Sequence, residues 1–191
     1  VLMDHQTHTR AGVAVLVHKR LKPAETITRV QEPDVLRGYA LCLKLKTERG
    51  HMNIVNIYIP PHTERKDVEH LTARETVIKG LSEWLPKVLT DTGPALVGGD
   101  YNGAWYTGDR QSGMRTGSDR KYREWAEQMG LQQMDMIGDW DMENRRKHTY
   151  EARATKGPLQ GATSRIDDWL TSAKDPKLRG EEVIGKPRVQ E

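Results

Sequence analysis

Runs in which apolar residues alternate with polar ones dominate the N-terminal part of the chain, and this period predicts β-strands. The runs are separated by turn signals that contain proline or glycine, such as Lys22-Pro23 and Arg49-Gly50. Since the strands follow one another with no helix between them, they predict an antiparallel sheet. The predicted strands span Gly12 to Val17, Glu25 to Val30, Gly38 to Lys46 and Met52 to Ile59.

A helical period follows these strands. Apolar residues between Asp67 and Leu89 recur at the spacing of one helix face, and Gly93-Pro94 closes the helix. Pro86 is expected to kink its last turn, because proline removes a backbone donor. The predicted apolar stripe consists of Leu71, Ile78, Leu81, Trp84, Leu85 and Val88.

The rest of the chain predicts a second helix and further short strands. The helix runs from about Ser118, a favourable N-cap, to Gly130, a favourable C-terminal stop. Runs of strands interrupted by a few helices indicate an α+β fold, here a two-sheet β-sandwich flanked by helices. The short strands are expected near Leu131, from His148 to Tyr150 and from Arg165 to Leu170.

Composition agrees with one globular domain over residues 1–191. Hydrophobic residues make up 36% and charged residues 30% of the chain, which is ordinary for a folded protein. The net charge of +3 and the pI of about 8.9 permit a nucleic-acid partner without requiring one. Cys42 is the single cysteine and is interpreted as a buried small hydrophobe. The apolar runs are shorter than a membrane span, and the compartment favoured is intracellular, specifically nuclear.

The strongest candidate chemistry lies after the apolar run Ala95 to Val97, where the chain reads Gly98-Gly99-Asp100-Tyr101-Asn102. The glycines allow a tight turn at the strand end. On an extended backbone Asp100 and Asn102 point the same way, and together they can hold and orient a water molecule. The alternative is an ordinary turn, because Gly, Asp and Asn dominate turns.

Two more strand ends carry polar candidates. Tyr58 precedes Pro60 at the end of one strand, and Ser164-Arg165-Ile166-Asp167 occupies another. Tyr58 is alternatively a half-buried aromatic residue, and Asp167 a turn residue or an ion-pair partner of Arg165. Asp167 is preferred over Asp168 because Ile166 then points to the core while Arg165 and Asp167 share the opposite face.

The order of these motifs resembles the endonuclease/exonuclease/phosphatase superfamily, which includes DNase I and the apurinic endonucleases. The opening Arg10-Ala11-Gly12-Val13-Ala14-Val15-Leu16-Val17 looks most like the endonuclease domain of non-LTR retrotransposons. The resemblance implies the DNase I-like four-layer αββα fold and a DNA endonuclease that uses Mg²⁺ or Mn²⁺. It also implies nicking of target DNA for retroelement insertion, and fusion to a reverse transcriptase.

The resemblance implies a role for each motif residue. Asp100 matches the residue that orients or deprotonates the attacking water, and it is the metal ligand we expect here. Asn102 would help hold water and phosphate, and Tyr58 would contact the phosphate or assist the leaving group. Asp167 matches the aspartate that pairs with a catalytic histidine.

The departures from the family pattern concern the two ends of the chain. A Glu in a Gln-Glu context and a Ser-Asp-His motif have no match here, and Asp4 and Glu25 lack that context. We therefore expect a single but incomplete domain, trimmed at both ends, with little nicking activity as an isolated chain.

DNA contacts are expected from basic and aromatic residues, because bases track the phosphate backbone and rings stack on nucleobases. The loop from Gly103 to Gly117 mixes both kinds, and the alternative is a solvated loop. Two other functions stay open: an inositol-phosphate or sphingomyelin-type phosphoesterase, and a non-catalytic nucleic-acid-binding remnant. The expected contact residues are Trp105, Arg110, Arg115 and Arg165.

Overall fold

The computed structural model describes residues 2–5, 12–21, 23–47, 50–61, 68–90, 93–105, 117–133, 150–151, 163–164 and 167–172. The helices are α1 (Pro23–Thr26), α2 (Val68–Thr90) and α3 (Gly117–Gln128), with 3-10 turns at Lys19–Leu21 and Asp34–Leu36. The strands are β1 (Leu2–His5), β2 (Gly12–Val15), β3 (Ile27–Val30), β4 (Ala40–Thr47), β5 (Gly50–Tyr58), β6 (Ala95–Asp100), β7 (Gln132–Gln133), β8 (Tyr150–Glu151), β9 (Thr163–Ser164) and β10 (Asp167–Thr171).

A six-stranded mixed sheet with the order β3-β4-β5-β6-β10-β7 forms the centre of the described structure. β5 and β6 run parallel, and α2 is the connection between them. The other neighbouring pairs in this sheet are antiparallel. The α+β fold predicted from the sequence is confirmed.

Helices α2 and α3 pack on one face of this sheet. Trp125 of α3 donates its indole N–H to Ser82 Oγ of α2 at 3.1 Å, which ties the two helices together. Alternate residues of β5 point into this layer, as the period of a strand requires. The buried side chains include Val55, Ile57, Val77, Leu81, Trp84, Leu85, Val97, Tyr101, Tyr122, Trp125 and Leu170.

The opposite face of the sheet is covered in part by the antiparallel pair β1 and β2. Val13 of β2 packs against Leu41 and Leu43 of β4, with Tyr58 at the margin of the cluster. The amide of Asn56 donates to the carbonyl oxygen of Ala14 at 2.9 Å. The described layers are therefore helices, central sheet and a two-stranded second layer.

Three local predictions differ from the structure. The strand predicted at Gly12 to Val17 pairs with β1 rather than joining the next three strands in one sheet, because its pairing partner lies upstream. The first part of the strand predicted at Glu25 to Val30 is the helical turn α1, which begins at Pro23, a favourable first helical residue. Helix α3 begins at Gly117, so Ser118 lies inside the helix rather than capping it.

Two of the predicted strands, His148 to Tyr150 and Arg165 to Leu170, lie partly outside the described residues. Cys42 is fully buried, as expected for a small hydrophobe. Helix α2 continues beyond Pro86 to Thr90, whose hydroxyl donates to the Pro86 carbonyl oxygen at 2.9 Å. Within the described residues, the helices are too short or too polar to cross a membrane.

Candidate active site

The ends of three neighbouring strands meet at one edge of the central sheet. Tyr58, the last residue of β5, is the register partner of Asp100, the last residue of β6. Because β5 and β6 are parallel, their C-terminal ends lie at the same edge. Asp167 opens β10 and is the antiparallel register partner of Asp100, whereas Asp168 pairs with Gly99. The structure thus brings the backbones of Tyr58, Asp100 and Asp167 into one row.

The two glycines before Asp100 let β6 lie close to both of its neighbours. A Cβ at Gly98 would lie 2.6 Å from Cε3 of Trp169, whose ring covers this part of β6. Gly99 has a φ of +139°, and a Cβ there would lie 1.9 Å from the carbonyl oxygen of Ile57. Neither position has room for a side chain, and Gly99 also needs a backbone conformation that other residues rarely adopt. These two residues fix where Asp100 ends its strand.

A turn rather than an extended strand joins Asp100 to Asn102, so the predicted extended geometry is wrong. Asn102 has a φ of 46°, in the left-handed region that Asn tolerates better than most residues. Its backbone N–H donates to Oδ1 of Asp100 at 2.8 Å, as in an Asx turn. The side-chain amide of Asn102 donates to the carbonyl oxygen of Ile59 at 2.9 Å. Asn102 therefore links the ends of β5 and β6.

Tyr58 lies in a partly buried position beside a second tyrosine. Its ring is nearly parallel to that of Tyr39, with centroids 6.2 Å apart and an interplanar angle of 6°. Burial raises the pKa of the Tyr58 phenol above its ordinary value, and the nearby Asp100 carboxylate and Tyr39 raise it further. The phenol consequently keeps its proton at neutral pH and can donate it in a hydrogen bond.

Two buried charged residues near this row were missed by the sequence analysis. Arg74 on α2 is 5% exposed, and Asp119 on α3 is 1% exposed. Each continues the buried stripe of its own helix: Arg74 precedes Val77 and Leu81, and Asp119 precedes Tyr122. A charged residue at a helix position whose neighbours are buried was the signal that could have revealed them.

The structure places Trp105 in the core rather than on a loop facing DNA. The indole is 8% exposed and packs edge-on against Tyr122 at 5.6 Å, with the Arg123 guanidinium 5.9 Å from its ring centre. A ring packed in this way has no open face for a nucleobase, so the prediction for Trp105 is corrected. Arg110, Arg115 and Arg165 lie outside the described residues.

The polar atoms at this edge suit a hard divalent cation. Asp100 supplies a carboxylate, and Mg²⁺ is commonly held by one or two carboxylates while water completes its shell. In the part of the chain that the structure describes, no group of three His, Cys, Asp or Glu residues is arranged to hold a metal. Among the residues that the structure describes, the fit is to a cation bound through Asp100 and water rather than to an all-protein cage.

Two solved nucleases have a fold similar to that of this chain. The AP endonuclease LMAP from Leishmania major is 15% identical, with a TM-score of 0.53 over 77% of this chain and 53% of that one. The 3′-5′ exonuclease NExo from Neisseria meningitidis is 16% identical, with a TM-score of 0.52 over 76% of this chain and 57% of that one. The sequence motifs predict a DNase I-like α+β fold, and these structures confirm that the chain has it.

The endonuclease domain of TRAS1, a telomere-specific non-LTR retrotransposon, is also similar. It is 15% identical, with a TM-score of 0.49 over 88% of this chain and 65% of that one. The chain thus spans 53% to 65% of the length of these three structures. No protein-family model matches the sequence, and no curated protein sequence matches it.

Proposed function

We propose that this chain is the core of a phosphodiester-cleaving nuclease that acts on DNA with the help of Mg²⁺ or Mn²⁺. The observation that carries the proposal is the row of Tyr58, Asp100 and Asp167 at one edge of the sheet, with Asn102 in the adjoining turn. Ligands commonly bind beyond the strand ends of open α/β sheets, and catalytic side chains are held there by the scaffold beneath.

The proposed chemistry divides the reaction among these residues. The Asp100 carboxylate accepts a hydrogen bond from the attacking water and orients it toward phosphorus. Tyr58, as a neutral phenol, donates a hydrogen bond to a phosphate oxygen or to the leaving oxygen. Asn102 keeps the Asp100 carboxylate in one orientation through its backbone N–H. Asp100 would hold a divalent cation, which would supply positive charge near the phosphate.

Support for DNA as the substrate comes from the fold neighbours and from charge. A Neisseria 3′ phosphatase with the same fold is bound to a product DNA hairpin, and its TM-score is 0.52. The basic balance of this chain is compatible with a polyanion. Arg110, Arg115 and Arg165 are the proposed phosphate contacts. A role in retroelement insertion and fusion to a reverse transcriptase are further proposals that rest on the sequence motifs, and a nuclear location is one that rests on composition.

The reaction class is tested by nicking of supercoiled plasmid in Mg²⁺. The assay uses the parent protein, defined as the longest natural protein that contains this chain, because the chain spans only part of its fold neighbours. We expect Asp100→Ala to lower the nicking rate by about 10³-fold, equivalent to ~4 kcal/mol of barrier.

The matched control is Asp34→Ala. Asp34 has a carboxylate that is 91% exposed and pairs with Arg37 at 2.8 Å, on the turn before β4. This variant should nick plasmid at the wild-type rate. Wild-type nicking by Asp100→Ala would contradict the proposal, and hydrolysis of inositol phosphates without nicking would favour a phosphoesterase instead.

A further inference from the structure

Arg74 is a buried guanidinium beside the candidate active site. It lies on α2 with 5% of its surface exposed, and its Nη1 donates to the carbonyl oxygen of Pro60. Pro60 follows the end of β5, two residues after Tyr58. A cation is rarely buried to this extent unless it has partners, because desolvation of the charge is costly.

The segment that Arg74 holds is also bonded to the other site residues. Ile59 donates its backbone N–H to the Asp100 carbonyl oxygen at 2.8 Å. The Ile59 carbonyl oxygen accepts the side-chain amide of Asn102 at 2.9 Å. Arg74 therefore binds the same short segment, Ile59–Pro60, to which Asp100 and Asn102 are hydrogen-bonded.

Two carboxylates compensate the buried charge of Arg74. Burial lowers the pKa of Arg74 below its ordinary value, while the carboxylates of Asp100 and Asp119 oppose that change. Asp119 in turn accepts the backbone N–H of Ala104 at 2.8 Å, just beyond the Asn102 turn. Arg74 thus interacts electrostatically with the site carboxylate and with a second carboxylate, Asp119, which binds the backbone of the following loop.

We propose that Arg74 is a positioning residue of the candidate active site, which fixes the Ile59–Pro60 segment and thereby the places of Asp100 and Asn102. The proposal rests on the nuclease function proposed above. Arg74 itself need not touch DNA. Because an error of about 1 Å in a catalytic group can cost about 10²-fold in rate, loss of this anchor should appear in turnover.

The test measures kcat and KM for plasmid nicking by the parent protein carrying Arg74→Met or Arg74→Lys. Met fills a similar length without charge, and Lys keeps the charge but loses the planar fork. We expect kcat to fall about 10- to 100-fold for Arg74→Met, with KM within about 2-fold of wild type. Arg74→Lys should recover part of the loss, and it carries the test if the Met variant does not fold.

A matched control separates positioning from general loss of stability. Arg29 on β3 pairs with the buried Glu32 at 2.7 Å, and β3 is separated from β6 by β4 and β5. Arg29→Met also removes a guanidinium from a buried carboxylate, so thermal unfolding should shift for both variants. Only Arg74→Met should lower kcat when the assays are run well below both unfolding transitions.

A double variant tests whether Arg74 acts through the Ile59–Pro60 segment. Asn102→Ala and Arg74→Met remove bonds to adjacent residues of the same segment. The fold-loss in kcat of the double variant should therefore be at least about 3-fold smaller than the product of the fold-losses of the two single variants. Asn102→Ala with Arg29→Met should combine multiplicatively.

The outcomes distinguish this inference from the proposed function. Wild-type kcat in Arg74→Met, or a change in KM alone, would overturn the positioning role while leaving the nuclease proposal intact if Asp100→Ala still abolishes nicking. Wild-type nicking by Asp100→Ala would overturn both.

Discussion

The two ends of strand β6 are closed by different chemistry. At the Ala95 end, the backbone N–H of Ala95 donates to Ser172 Oγ at 3.0 Å, and the Asn53 side chain donates to the Val88 carbonyl oxygen at 2.8 Å. At the Asp100 end, the Asp100 carboxylate accepts the Asn102 backbone N–H, and the Asn102 amide donates to the Ile59 carbonyl oxygen. The buried Arg74 donates to the next carbonyl oxygen, that of Pro60, and interacts electrostatically with Asp100 and Asp119. Neutral groups close one end, and charged groups close the other.

The difference indicates which end is built for chemistry. Backbone groups at a strand end can be satisfied by amides and hydroxyls, as the Ala95 end demonstrates. Buried charges cost more, because each must be desolvated and then compensated by a partner. Their concentration at the Asp100 end therefore favours a functional explanation over a structural one.

The largest stability effect is expected at the glycine that sets up the charged end. Gly99→Ala should lower the free energy of unfolding by about 3 kcal/mol or more, since it combines backbone strain with a clash against Ile57. Gly117→Ala is the matched control, because a Cβ there meets nothing within 4 Å and alanine favours a helix. Urea unfolding of both variants checks this, and an equal cost for the two would refute the packing argument.

The two asparagines that bond across strand ends separate stability from activity. Asn53→Ala and Asn102→Ala each remove a side-chain bond to a backbone carbonyl, so each should lower the free energy of unfolding by about 1 to 3 kcal/mol. Only Asn102→Ala should also lower kcat for nicking. A comparable fall in kcat for Asn53→Ala would remove the functional distinction between the ends.

A smaller effect is expected for DNA binding. Arg115→Ala should weaken binding several-fold and reduce the slope of log affinity against log salt by about one phosphate contact. Fluorescence anisotropy across a salt series measures both quantities. If affinity and slope stay at the wild-type values, Arg115 is not a phosphate contact.

The smallest effect is a pH dependence at Tyr58. Its pKa is raised in the folded protein, so the unfolded chain releases this proton first as the pH rises. The contribution of the Tyr58 phenol to the free energy of unfolding is fully present below about pH 10, and it is lost as the pH rises through the pKa of the folded state. Tyr58→Phe should flatten this alkaline loss of stability in urea unfolding, and an unchanged pH profile would contradict the raised pKa.

At the Asp100 end of the central sheet, the features that depend on local sequence patterns could be predicted from the sequence. Alternation located β5, a short apolar run located β6, and the motifs around Tyr58 and Asp100 identified the strand ends that the register brings together. The pairing of β2 was missed because it depends on a partner upstream rather than on the residues of β2 themselves.

Charge and burial were the harder properties to predict. Arg74 and Asp119 are charged residues whose burial is decided by the layers packed around them, and Trp105 packs against Tyr122 on α3. The backbone at Asn102 adopts a turn, the alternative to the extended geometry, because Asp100 accepts the Asn102 N–H. Local residue preference does not decide the tertiary contacts that bury Arg74, Asp119 and Trp105, whereas the Asn102 turn is a local contact.

Single-turnover nicking at saturating DNA, with affinity measured on the same samples, tests the central claim most directly. For the parent protein, Asp100→Ala should lose several kcal/mol of transition-state stabilisation while DNA affinity stays the same or rises, because a carboxylate near phosphate is removed. Asn53→Ala, at the neutral end of the sheet, should react at the wild-type rate. Full single-turnover activity in Asp100→Ala would contradict the claim that phosphodiester cleavage occurs at this end of the sheet.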